Sequence, residues 1–196
     1  IAFDKVVRDG QGIDFSGDKS LEFKECIGGI NAHVQGVAIY NDFMILTNNC
    51  PNNYRGYIII INTALQSNQI IQWTYTPEPD MNHPGGCQQS DGFLAVAIEK
   101  GQDQSGAYRS VVRLYSLRYL SSTGLPGLLP AKINRETQAG AVGITSRVEG
   151  GTKFYYIGVY NWGRVDFYKS NGKALDSHDC TFELSFSENP AQEADN

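Results

Sequence analysis

The chain has 196 residues, 41% hydrophobic and 19% charged, with a formal net charge of −5 at pH 7. That balance belongs to a globular protein rather than a disordered one, and the length suffices for one domain with a sizeable core. No Lys/Arg cluster offers nucleic acid a basic stripe, and the longest strongly apolar run, residues 57–61, is strand-length and far short of a membrane span.

The first residues, "IAFDKVVRDG", carry Asp4, Lys5, Arg8 and Asp9, so they are not a signal peptide. They do not begin with Met either, which suggests a processed or trimmed chain and leaves room for a leader already removed. A secreted, periplasmic or cell-surface location is expected on that basis. "DGQGIDFSGD" lacks the ligand order of a calcium loop and reads as a pair of turns. "SLEFKECI" then reads as a strand.

From here helical periodicity is nearly absent. "GVAIY", "FMILTN", "YIIIIN", "IIQWTY", "FLAVAIE", "VVRLYSL", "FYYIGVY", "VDFYKS" and "TFELSF" are short runs rich in β-branched and aromatic residues. Gly, Asn, Asp, Ser and Pro separate them, which is an all-β pattern.

The runs repeat. One unit opens at His33 and the next at His83; His33 and His83, Gly36 and Gly86, and Phe43 and Phe93 all stand 50 residues apart. Arg55 and Arg109 stand 54 apart, so the second unit has extra residues in the loop before its third strand. In a third unit Gln138 replaces the histidine, Tyr155 answers Phe93, and the added length sits in the first hairpin, around "SRVEGGTK". Each unit predicts four strands, at 37–40, 43–47, 57–62 and 70–75 in the first. The alternation after "HPGG" predicts one face of that unit set against a neighbour. The N-terminal thirty residues read as the back half of a further unit.

Four-stranded units with a period near 50 resemble β-propeller blades. "GRVDFYKSNG" and "SVVRLYSL" are similar to third-strand segments of NHL and YVTN blades. The resemblance implies a propeller-like domain over residues 1–186, with about four blades of four antiparallel strands, or a piece of a larger propeller. The alternative is a β-sandwich. The acidic, apolar-poor stretch 187–196 is expected to be a flexible tail.

In antiparallel units the start of the first strand and the end of the second share one end of the sheet. His33, His83 and Gln138 therefore gather with Asn49, Glu99 and Asn161, and the following loops bring Arg55, Arg109 and, slightly offset, Arg164. Tyr54, Tyr108, Tyr160 and Trp162 lie in or beside those loops. Flat rings beside Asn and Arg suit sugars or peptides. The candidate ligand residues are Tyr54, Arg55, Glu99, Tyr108, Arg109, Asn161 and Trp162, with a protein, peptide or carbohydrate as the ligand. No nucleophile elbow, P-loop or dinucleotide fingerprint is present, so a non-catalytic recognition module without a cofactor is expected.

The alternative is a metal-dependent hydrolase or lactonase-like enzyme, with His33, His83 and Glu99 holding a divalent ion. Against it, residues that recur in every unit are expected to serve the repeat. Asp176, His178 and Asp179 in "DSHDC" are a lesser metal candidate, and Glu149 falls at the opposite end from Glu99. Cys26, Cys50, Cys87 and Cys180 allow three pairings, and the sequence leaves open whether they are bridged or free.

Overall fold

The computed structural model describes residues 33–50, 55–64, 70–78, 80–100 and 108–189. The strand expected at 20–27, the partial first unit, Tyr54 and the last residues of the expected tail lie outside them.

The described residues form three four-stranded antiparallel sheets, each a meander in chain order. The first holds β1 (His33–Tyr40), β2 (Phe43–Cys50), β3 (Arg55–Asn62) and β4 (Ile70–Tyr75). The second holds β5 (His83–Ser90), β6 (Phe93–Lys100), β7 (Arg109–Ser116) and β8 (Gly127–Arg135), with one helical turn, α1 (Leu120–Thr123), before β8. The third holds β9 (Ala141–Glu149), β10 (Thr152–Asn161), β11 (Arg164–Ser170) and β12 (Phe182–Glu188). The expected repeat is therefore present three times, as three sheets rather than the two layers of a sandwich. Ser187 and Glu188 belong to β12, not to a tail, because they pair with Asp166 and Val165.

The hairpins follow from their turn residues. Asp91–Gly92, Gly150–Gly151 and Trp162–Gly163 all have positive φ at both positions, the two-residue turn whose twist matches the strands. The third sheet opens at Ala141, not at Gln138. The carbonyl of Gln138 accepts from the Arg135 guanidinium at 3.2 Å and the N–H of Ala139 donates to Glu99, so this stretch bonds outside the ladder.

The sheets stack through their faces. Phe93, Ala95 and Ala97 of β6 point at the third sheet, while Leu94, Val96 and Ile98 point at the first. Sequence alternation suggests one buried face here, but both faces are buried, which is why "FLAVAI" is apolar throughout. β3 repeats this: Ile58 and Ile60 face the second sheet, and Tyr57, Ile59 and Ile61 form a buried cluster on the other side. Each such aliphatic side chain contributes about 1.5–3 kcal/mol by leaving water.

The first strands β1, β5 and β9 lie side by side and run in one direction. Gln35 meets His83 near their starts, and further along Gly36 meets Gly86 and Cys87. Likewise the Gly86 N–H donates to the Gly140 carbonyl at 3.0 Å, and further along the Ile144 N–H donates to Gln88 Oε1 at 2.7 Å. The approach is possible because no Cβ intervenes. A Cβ on Gly85 would stand 2.3 Å from the Gly140 carbonyl oxygen, whereas one on Gly140 would meet nothing nearer than Tyr160 Cδ1 at 3.7 Å. Gly85→Ala is therefore expected to lower stability by about 1–3 kcal/mol, as overpacking does, and Gly140→Ala to be tolerated. Thermal melting of the two variants beside the parent checks this.

Candidate functional site

The strand register builds one end of the stack. His33 lies opposite Asn49 and His83 opposite Glu99. Arg55, Arg109 and Arg164 each open the third strand of their sheet, opposite Cys50, Lys100 and Asn161. The arginine repeat is thus in register in all three sheets. Asn161 is one position beyond its expected match. The two-residue turn at Trp162–Gly163 sets Asn161 opposite Arg164, leaving Tyr160, opposite Ala141, in the place that Asn49 and Glu99 hold.

Glu99 and His83 form the centre of a tie across the inner strands. His83 Nδ1 lies 3.1 Å from Glu99 Oε1, and the Gln35 amide nitrogen 2.7 Å from His83 Nε2. One neutral tautomer satisfies both: Nδ1–H donates to the carboxylate and Nε2 accepts from Gln35. The second oxygen of Glu99 accepts from the Ala139 N–H at 3.0 Å. Burial pushes the Glu99 carboxyl up, but the hydrogen bonds from His83 and Ala139 outweigh it and hold it below the usual value. Gln35 belongs to the first sheet, His83 and Glu99 to the second, and Ala139 to the segment that enters the third.

This geometry suits cohesion between sheets. Both ring nitrogens of His83 and both oxygens of Glu99 already face protein partners, so a metal ion held by His33, His83 and Glu99 would have to displace them. The side chain of His33 is outside the described residues. Asp176, His178 and Asp179 fall in the turns between β11 and β12, and no group of three or more His, Cys, Asp or Glu suited to a metal occurs among the described residues. Glu149 does sit at the far end of β9, bonded to Lys169 and Tyr156.

A second tie went unread in the sequence. Arg135 on β8 is 1% exposed in its side chain and bonds Asp166 Oδ2 on β11 at 2.7 Å. It also reaches Tyr168, Thr137 and the Gln138 carbonyl. Burial raises the Asp166 carboxyl, but the Ser187 hydroxyl and the guanidiniums of Arg135 and Arg164 outweigh it and hold it low. The signal was available: in "RVDFYKS" the acid shares a strand face with Tyr168 and Ser170, which turn inward, so it needs a partner.

The remaining candidates divide. Arg164 is engaged with Asp166 and Ser187, and the Arg55 guanidinium lies 4.3 Å above the Tyr75 ring. Arg109 is exposed and Tyr108 half-buried beside it. Tyr160 is exposed, and Trp162 is 78% exposed at φ 39° on the tip of the β10–β11 hairpin. Cys87 and Cys180 are buried and free, so no bridge joins them. Burial pushes the Cys87 thiol up to about 12, which keeps it protonated and unreactive. Cys26 and the side chain of Cys50 are outside the described residues.

No family model, no curated protein and no solved structure matches the chain.

Two outcomes are expected from the ties. Glu99→Ala leaves two donors without an acceptor and should lose about 1–3 kcal/mol at neutral pH. Because the folded carboxyl titrates below its usual value of 4.5, its contribution is full above that value and is lost as the pH falls through the lowered one. The gap between Glu99→Ala and parent in chemical unfolding should therefore narrow in acid. Asp166→Ala strands the buried Arg135 charge and should cost about 3–5 kcal/mol, read in the same assay.

Proposed function

We propose that the chain is a non-catalytic recognition module of propeller-like build. Its ligand, a protein, peptide or carbohydrate, sits on the end where the second strands turn into the third. Three stacked meanders with their first strands side by side support the propeller-like reading. The ligand face would comprise Trp162 and Tyr160 from the third sheet, Tyr108 and Arg109 from the second and Arg55 from the first, with Asn161 beside the tryptophan.

The observation that carries this reading is the placement of Trp162. A bulky side chain at positive φ is disfavoured by roughly 1–2 kcal/mol, and Asn, Asp or Gly is the ordinary choice at this turn position. Here the ring is 78% exposed, so little packing within the chain offsets either cost. A strained, exposed indole next to Asn161 and Arg164 has the make-up of a binding anchor, a large apolar surface with polar neighbours.

Trp162→Asn separates the alternatives. It should raise the melting temperature by a few degrees, because Asn–Gly suits this turn, and it should weaken capture on glycan and peptide arrays at least tenfold. Tyr108→Ala should weaken capture with little change in melting. Unchanged capture by both variants, or a lower melting temperature for Trp162→Asn, sinks the reading.

A further inference from the structure

The third sheet turns Val142, Ile144, Tyr155, Ile157 and Val159 toward the second. Its other face carries Gly143 and Thr145 on β9, Tyr156 and Gly158 on β10, and Phe167 on β11, which stacks on Phe186 of β12 at 4.6 Å between centroids. Phe186 is itself 51% exposed. A cavity of about 340 Å³ lies over this face, lined by Gly143, Thr145, Tyr156, Gly158, Phe167 and, from β5, Gln88.

The same place in the other two sheets is filled. In the first sheet Gly36 lies opposite Thr47, and β5 packs there so closely that a Cβ on Gly36 would be 2.6 Å from Cys87 N; the Thr47 hydroxyl donates to the Gly85 carbonyl at 2.7 Å. In the second sheet the bulge between Pro84 and Cys87 sets Gly86 by Ala97, and β9 packs there, with Ala141 Cβ 3.0 Å from a Cβ on Gly86. The third sheet has the corresponding ladder pair, Gly143 opposite Gly158. That face, uncovered among the described residues, thus continues two interfaces already built in this molecule.

A complementary surface stands beside it. β1 turns Ala38 to the second sheet, so Val37 and Ile39 point the other way, 57% and 51% exposed. By ladder position Val37 corresponds to Cys87 and Ile144, which β5 and β9 bury against the preceding sheet. A second cavity, about 230 Å³, runs along Val37 and Ile39, and Gln88 lines it as well.

We infer that this rim is the seat of a further inner β-hairpin, supplied by a polypeptide with the same strand pattern. The hairpin lays its first strand on Gly143 and Gly158 in the direction of β9 and covers Val37 and Ile39. The partner's chemistry follows from the two filled seats: a close-packed backbone with small residues at its start, then aliphatic side chains alternating toward the aromatic face. This inference is independent of the ligand face at Trp162.

The probe is a fluorescently labelled synthetic peptide copying residues 141–161, the hairpin that occupies the filled seat on the second sheet. Added to the full chain, it should bind saturably in fluorescence anisotropy. Gly158→Val should weaken binding at least tenfold, because a side chain then fills the seat. The double variant Val37→Thr with Ile39→Thr should weaken it at least threefold while melting like the parent, which keeps the test intact if Gly158→Val folds poorly. Binding no tighter than a scrambled peptide, or binding untouched by either variant, overturns the inference. So does a parent chain that sediments as a dimer and becomes monomeric in Gly158→Val, since the occupant would then be a second copy.

Discussion

The structure depends on backbone-to-backbone contact among three parallel-running strands that hardly share a ladder. β1, β5 and β9 are each the edge of their own sheet, so each has unpaired N–H and C=O groups on its inner side. Side chains satisfy some of the backbone groups in and beside these strands: Thr47 donates to the Gly85 carbonyl, Gln88 accepts from the Ile144 N–H, and Glu99 accepts from the Ala139 N–H. Glycine at 36, 85 and 86 is what lets the strands come near enough for those short side chains to reach.

Two kinds of force then divide the work. Aliphatic faces supply the bulk of the cohesion, since β3 and β6 are buried on both sides. Polar ties set the relative position of the sheets. Apolar burial is non-directional, whereas the Glu99 carboxylate has one place where it meets both His83 and Ala139, and Arg135 has one where it meets Asp166 and Tyr168. The Asp91 carboxylate adds a tie near the other end, to Ser146 and Lys153. With the sheets pinned this way, Arg55, Arg109 and Arg164 at the starts of the third strands keep their places relative to one another. The ligand face proposed above would then lose little entropy on contact.

The repeat was the most legible part of the sequence, because the second unit's insertion fell in a loop, the third unit's only lengthened the strands β9 and β10, and the anchor residues of the first two units kept their spacing. Arg55 and Arg109 open equivalent strands as the spacing implies, Arg164 does so too although the spacing sets it slightly off, and Glu149 lies at the far end of its sheet. The third unit opens three positions later than the sequence suggests, at Ala141, since Gln138 looks like the missing histidine while the chain around it bonds to Arg135 and Glu99. The Arg135–Asp166 tie was illegible from Arg135 alone. An arginine at the end of an edge-type strand looks solvated unless one knows which sheet will lie over it. The strain at Trp162 was hidden as well, because "NWG" shows a turn but not the sign of φ at its first residue.

The connections between second and third strands differ in length: four residues after β2, eight after β6 and two after β10. Ladders on either side keep the same arginine at the same register despite this variation. Selection can therefore lengthen, shorten or rewrite what this end of the protein presents without disturbing the scaffold beneath it. For the ligand face proposed above, small edits to these connections would be enough to change specificity.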